Sequence, residues 1–286
     1  MRVLLLGGTG TVGSAIVPAL LRRGARVSML VRSALGAARA EELSARPVVG
    51  DIVEPAEWRR ELGRVDAVVH TANTFGPDMP ETDRTLLDVF QAELPVGAAV
   101  VYTGGVWLYG DCGDRLRDDD GPWNPPPGWQ WNAGIAAAVK ESPELRGMVV
   151  HPGNVVVSGD LPAPRMLVEE ARRHEVVRTP AADDVRWPLV AADDLGDLYA
   201  RVLEHGSAGL DYLGVSDPGV PVGAIAERLR DALALTATRE RLPADYWRSE
   251  YGAWAEGYRL SQQLYARRAI EDLGWAPQWR FSSSVA

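Results

Sequence analysis

The chemistry open to this chain starts at its seventh residue. Gly7-Gly8-Thr9-Gly10-Thr11-Val12-Gly13 spaces three glycines at intervals of three, directly after the apolar run 3–6 and at the start of a stretch with helical periodicity. Strand, glycine turn and helix in that order make a phosphate cradle. The glycines permit a tight turn and close backbone approach, and the helix start offers unpaired N–H groups with a partial positive charge. The pattern assigns Gly7, Thr9, Gly10, Thr11, Val12 and Gly13 to a dinucleotide pyrophosphate. An NAD site carries an acid about 20 residues further on, at the end of the second strand. Here that segment reads Leu30-Val31-Arg32-Ser33, without a carboxylate. Arg32 can pair with a 2′-phosphate and Ser33 can donate to it, so the expected cofactor is NADP(H), with NADPH preferred over NADH.

Groups able to deliver a proton are few. Lys140 is the one lysine in the chain, and the residue four positions before it is Ala136. No Tyr-x-x-x-Lys pair exists, so no lysine can act on a tyrosine one helical turn away. Thr103, Tyr109, Tyr102 and His151 remain as side-chain donors. Thr103 and Tyr109, at or just after a strand end, are the catalytic candidates. Ten tryptophans against three phenylalanines are a second chemical signal. Trp107, Trp129 and Trp131 stand near strand ends or at a helix start, and Trp187, Trp247 and Trp254 fall late in the chain. Indole faces suit a planar polycyclic ligand held by few polar contacts, and core packing is the competing account of each. His70, His174 and His205 lack ligand spacing, so no metal site is expected.

These residues need a scaffold. Apolar runs at 3–6, 26–31, 47–49, 67–70, 98–103 and 148–151 read as strands, separated by helical patterns such as 12–23 (with Pro18 inside it) and 133–141. Strands alternating with helices predict a Rossmann-type doubly wound α/β fold with a parallel sheet. Residues 111–128 pack acids, glycines and prolines into a long loop, and 158–164 is rich in breakers. Residues 189–204 read as a helix approached through Asp193-Asp194, which should cap it. Shorter helices and a polar tail at 282–284 follow. The acidic run Asp118-Asp119-Asp120 reads as a solvated turn.

Length and composition agree. The chain has 286 residues, is 46% hydrophobic and carries a net charge of −9. That supports one large α/β domain with a small lobe. The acidic balance argues against nucleic-acid binding, one cysteine (Cys112) excludes a disulfide framework, and no apolar run is long enough to span a membrane. A soluble cytoplasmic protein acting on a small molecule is expected.

In combination, several segments resemble the extended short-chain dehydrogenases/reductases over about residues 1–205. These are the glycine turn, Gly50-Asp51-Ile52, Val69-His70-Thr71-Ala72-Asn73, Tyr109-Gly110, His151-Pro152-Gly153-Asn154-Val155 and Trp187-Pro188-Leu189-Val190 with Asp193-Asp194-Leu195. The resemblance implies that Asp51 and Ile52 contact adenine. Thr71, Ala72 and Asn73 would flank the cofactor ribose, and Pro152, Gly153, Asn154 and Val155 the nicotinamide. It also implies a cofactor domain from 1–155 and 184–205, with a mostly helical substrate lobe from 156–183 and 206–286. The family's Tyr-x-x-x-Lys pair and Ser/Thr are replaced by Trp131, Ile135 and Gly105. With that set missing, the chain looks like the atypical ketoreductases that tailor angucyclinone polyketides in antibiotic biosynthesis. There a ketone already hydrogen-bonded to a neighbouring phenol or enol would stabilise its own alkoxide. Two alternatives stand beside it: a non-catalytic NADP sensor resembling the NmrA group, and a sugar-nucleotide epimerase or dehydratase, against which the missing Tyr counts most.

Overall fold

Unbroken apolar runs such as Val3-Leu4-Leu5-Leu6 suit strands buried on both faces, and all four of these side chains are buried. The computed structural model describes residues 1–74, 76–156 and 161–282. In chain order its strands are β1 (Arg2–Leu6), β2 (Arg26–Val31), β3 (Arg46–Val49), β4 (Ala67–His70), β5 (Ala99–Thr103), β6 (Leu116–Arg117), β7 (Arg146–Pro152), β8 (Asn154–Val156), β9 (Arg178–Thr179), β10 (Arg186–Ala191), β11 (Asp211–Gly214), β12 (Asp217–Pro221), β13 (Glu240–Arg241) and β14 (Gln263–Leu264). The α-helices are α1 (Thr11–Arg22), α2 (Ala34–Glu42), α3 (Met79–Glu93), α4 (Gln130–Glu141), α5 (Arg165–His174), α6 (Ala192–His205), α7 (Val222–Ala232), α8 (Ala244–Tyr251) and α9 (Arg267–Glu271).

Seven strands form one parallel sheet in the order β11-β7-β5-β4-β1-β2-β3. The winding reverses between β1 and β4, and such a switch point opens a crevice at the carboxyl ends of the strands. Neighbouring residues of β5 point to opposite faces. Tyr102 reaches Asp83 of α3 and Asn132 of α4, whereas Thr103 reaches Tyr199 of α6. Helices α1 and α6 share the second face so closely that a Cβ on Gly196 would lie 2.4 Å from the Ala15 carbonyl oxygen. Pro18 is carried inside α1 without ending it. A smaller sheet, β12-β10-β8, and the short pairs β13/β9 and β14/β6 lie outside the main sheet.

Several expectations change. Residues 189–191 belong to strand β10, and α6 begins at Ala192; a short buried apolar run carries no period that separates strand from helix. Strand β11 joins the main sheet, so not all of 206–286 is lobe, and β10 pairs with β8 and β12 rather than within the main sheet. Neither acid of Asp193-Asp194 caps α6. Asp194 instead accepts the backbone N–H groups of Gln278 and Trp279, pinning the C-terminal segment. The acidic run forms a turn with Asp120 exposed, but its acids are engaged rather than only solvated. Asp118 and Asp120 pair with Arg267, and buried Asp119 accepts the N–H groups of Leu213 and Arg268, which stitches α9 to β11. Residues 158–160 of the breaker-rich stretch and 283–284 of the polar tail lie outside the described residues. Among the described residues no helix is long and apolar enough to cross a membrane, and no group of acids, histidines and cysteine is arranged to hold a metal ion.

Candidate active site

The glycine turn sits at the switch point, and its geometry shows why two positions accept nothing larger. Gly7 has φ +84°, and a Cβ there would lie 2.5 Å from the Ala72 backbone nitrogen; one on Gly13 would lie 2.3 Å from the Gly7 carbonyl oxygen. The turn is thereby pressed against the β4 loop, and α1 against the turn. Thr9 and Gly10 are exposed, and Thr11 and Val12 half-buried, at the start of α1. The cradle fits a dinucleotide pyrophosphate. Thr71 is fixed beside it, its N–H and hydroxyl both donating to the Leu6 carbonyl. Ala72 and Asn73 follow, half-buried.

Where the resemblance puts the adenosine, Arg32 is 74% exposed and its guanidinium lies 3.9 Å from the Asp51 carboxylate. The Ser33 oxygen accepts the Gly36 N–H as the N-cap of α2, leaving its proton available. Ile52 is buried, and Trp58 donates to the Asp51 carbonyl beneath it. Pro152 and Val155 are half-buried at the other end. Gly153 donates to the Gly214 carbonyl, and the Asn154 side chain is turned to the Pro188 carbonyl, 3.4 Å away.

The proton candidates separate by burial. Tyr102 is buried and committed, donating to Asp83 and accepting from Asn132. His151 is fully buried. Its Nδ1 accepts the Gly105 N–H at 3.2 Å, so the ring proton sits on Nε2 and is donated to Asp211 at 3.0 Å. Its ring also fills the space of a side chain at Gly104, where a Cβ would lie 2.4 Å from Nδ1. Tyr109 is not the groove-facing donor its position suggested: it is fully buried and its hydroxyl donates to the Asp119 carbonyl. Burial, reinforced by the Asp211 and Asp119 charges, pushes its pKa well up, so it does not ionise. Lys140 pairs with Asp211 and lies over the Trp123 ring, engaged by that pair. Thr103 is the half-buried member of the four.

Where the family carries Ser/Thr, Gly105 faces open space, with nothing within 4 Å of an added Cβ. Ile135 is buried, and the Trp131 indole N–H is spent on the Gly128 carbonyl. None of the three can supply a proton.

The tryptophans form a connected wall. Trp107 meets Trp129 at 5.0 Å and Tyr258 at 4.8 Å, and stacks on Trp254; Trp129 stacks on Trp131. Trp187 and Trp247 are corrected to core residues, 1% and 2% exposed, because Trp187 donates to the Tyr258 carbonyl and Trp247 stacks on Tyr251. Trp107 and Trp129 are also buried, and Trp131 and Trp254 are the half-buried members of the six. Sequence reading missed Tyr199, whose hydroxyl lies 2.7 Å from the Thr103 hydroxyl; nothing in a helix-embedded tyrosine 96 residues away signals that contact.

The NAD dependent epimerase/dehydratase family model matches residues 3–213. The chain belongs to that family. It is 28% identical to the dTDP-6-deoxy-L-talose 4-dehydrogenase (NAD(P)(+)) of Kitasatospora kifunensis, with 99% of this chain and 93% of that protein covered. A shorter stretch is 32% identical to the 4-hydroxy-2-methyl-3-oxo-4-farnesyl-3,4-dihydroquinoline-1-oxide ketoreductase of Stigmatella aurantiaca, covering 35% of this chain and 30% of that one. In fold it is similar to a dTDP-glucose 4,6-dehydratase of Streptomyces venezuelae solved with NAD bound, with TM-score 0.80, 22% identity, and 100% and 95% of the two chains covered. The chain is an NAD(P)-dependent oxidoreductase of the extended short-chain dehydrogenase/reductase type.

Proposed function

We propose that the protein reduces a ketone on a polycyclic aromatic, angucyclinone-like polyketide of antibiotic biosynthesis, with NADPH as reductant. The observation that carries this reading is the open, hydroxyl-less space at Gly105 together with Trp131 and Ile135. A substrate entering there meets no catalytic tyrosine and no ammonium, which favours a carbonyl that arrives with a hydrogen bond of its own. A ketone beside a phenol or enol does so, because the neighbouring hydroxyl shares its proton with the forming alkoxide. When bound, the dihydronicotinamide supplies the hydride. The chain's contribution is to position the two partners, which is worth about 7–11 kcal/mol at best, more than the roughly 3–5 kcal/mol of a general acid. Trp131 and Trp254 offer aromatic faces to a flat ring system. Arg32 and Ser33, directly after β2 and with no carboxylate at either position, support NADPH over NADH. The names of the two relatives, a dehydrogenase and a ketoreductase, support interconversion of ketone and carbinol.

The test is deuterium transfer from each of the two 4-deuterated NADPH stereoisomers to alpha-tetralone and to its peri-hydroxy analogue, read by mass spectrometry. Label at the carbinol carbon from one stereoisomer, with the peri-hydroxy ketone much the better substrate, is expected. Tight NADPH binding without label in either ketone would refute the reading in favour of a cofactor sensor.

A further inference from the structure

Tyr199 lies on α6, is fully buried, and has one hydrogen-bond partner among the described residues, the Thr103 hydroxyl at 2.7 Å. A buried O–H left without an acceptor is costly. Burial raises the Tyr199 pKa, so it stays protonated and has a proton to give. Tyr199 therefore donates and the Thr103 oxygen accepts. The Thr103 proton is then left for an acceptor on the open side, where Thr103, Gly104 and Gly105 form a half-buried strip at the carboxyl end of β5. Thr103 is β-branched, so few rotamers keep both bonds, and the oxygen is held in place.

We infer that Thr103 and Tyr199 form a directed hydroxyl pair in which Tyr199 is a positioning residue and the Thr103 O–H hydrogen-bonds the carbonyl oxygen of the substrate. The bond strengthens as that oxygen gains negative charge, which makes it a stabiliser of the alkoxide and not its proton source. The alkoxide takes its proton from the neighbouring phenol or from water. This role rests on the ketone-reduction reading above.

The experiment compares Thr103→Val, Thr103→Ser, Tyr199→Phe and the Thr103→Val/Tyr199→Phe double variant in NADPH-dependent reduction of the two tetralones. Thermal unfolding and NADPH titration accompany each variant. Losing one hydrogen bond to a charged acceptor should lower kcat of Thr103→Val by about 10- to 100-fold, and of Tyr199→Phe by about 3- to 10-fold, with KM and NADPH affinity little changed. Thr103→Ser should recover most of the loss. The double variant should be no slower than Thr103→Val, because residues acting in one chain are not additive. The loss should be larger on alpha-tetralone, which lacks its own hydroxyl. An unchanged kcat in Tyr199→Phe, additive losses, or a Thr103→Ser as slow as Thr103→Val would overturn the pair while leaving ketone reduction standing. Wild-type protein that passes label to neither ketone overturns the ketone reading and the pair's role with it.

Discussion

Replacing Arg32 by alanine tests the cofactor preference most directly. The guanidinium is 74% exposed, so it acts on a 2′-phosphate through a medium close to water. At about 4 Å in water, two unit charges attract by about 1 kcal/mol, and a phosphate monoester carries about −1.5 to −2 charges. The contact is then worth roughly 2 kcal/mol, about a 30-fold change in dissociation constant. Asp51, 3.9 Å from Arg32, competes for the same guanidinium and holds the effect near this figure rather than above it. Fluorescence titration should show Arg32→Ala weakening NADPH roughly 30-fold while NADH stays within about twofold, with the gap narrowing as salt is raised past the ~8 Å screening length at 0.15 M. Equal weakening of both cofactors would mean that Arg32 serves the adenosine pocket and not the phosphate. A wild-type protein that binds NADH as tightly as NADPH would refute the reasoning outright.

Gly105 has φ −179°, an extended backbone any residue adopts, and open space at its Cβ. Gly105→Ser should therefore fold with unchanged or slightly raised thermal stability and, by restoring a hydroxyl, speed reduction of alpha-tetralone by about tenfold. Gly13→Ala would place a methyl 2.3 Å from the Gly7 carbonyl oxygen. It should abolish the thermal stabilisation that NADPH and NADH give the wild type, read as a missing cofactor-dependent rise in Tm. Burial alone would raise the Asp211 pKa, but the His151 and Lys140 contacts override it and the net shift is downward. A carboxylate lowered on folding contributes fully above its unfolded pKa of about 3.9, and that contribution is lost as pH falls through the lower folded value. Asp211→Asn should cost about 3 kcal/mol at pH 7 and flatten the acid limb of the stability curve, checked by urea unfolding across pH.

How far the molecule could be read from its residues depended on whether a signal was local. The glycine turn and strands such as Arg26–Val31 and Ala67–His70 follow from contiguous patterns, and the structure has them there. The four-residue strand β11 escaped because its burial comes from β7, 62 residues earlier in register, and not from any period of its own. The same limit governs the site. Absence was legible: a missing lysine and a glycine at position 105 need no three-dimensional context. Presence was not, because a hydroxyl's use depends on who reaches it. Tyr109 and Thr103 look alike as strand-end hydroxyls, yet one is buried and spent on the Asp119 carbonyl and the other, half-buried, meets the Tyr199 hydroxyl. The tryptophans divide in the same way: Trp187 and Trp254 both meet the Tyr258 ring, yet Trp187 is buried with its indole N–H on the Tyr258 carbonyl and Trp254 is half-buried. With no hydroxyl or ammonium at positions 105, 131 and 135, the proposed chemistry falls to partners distant in sequence, Thr103 of β5 and Tyr199 of α6.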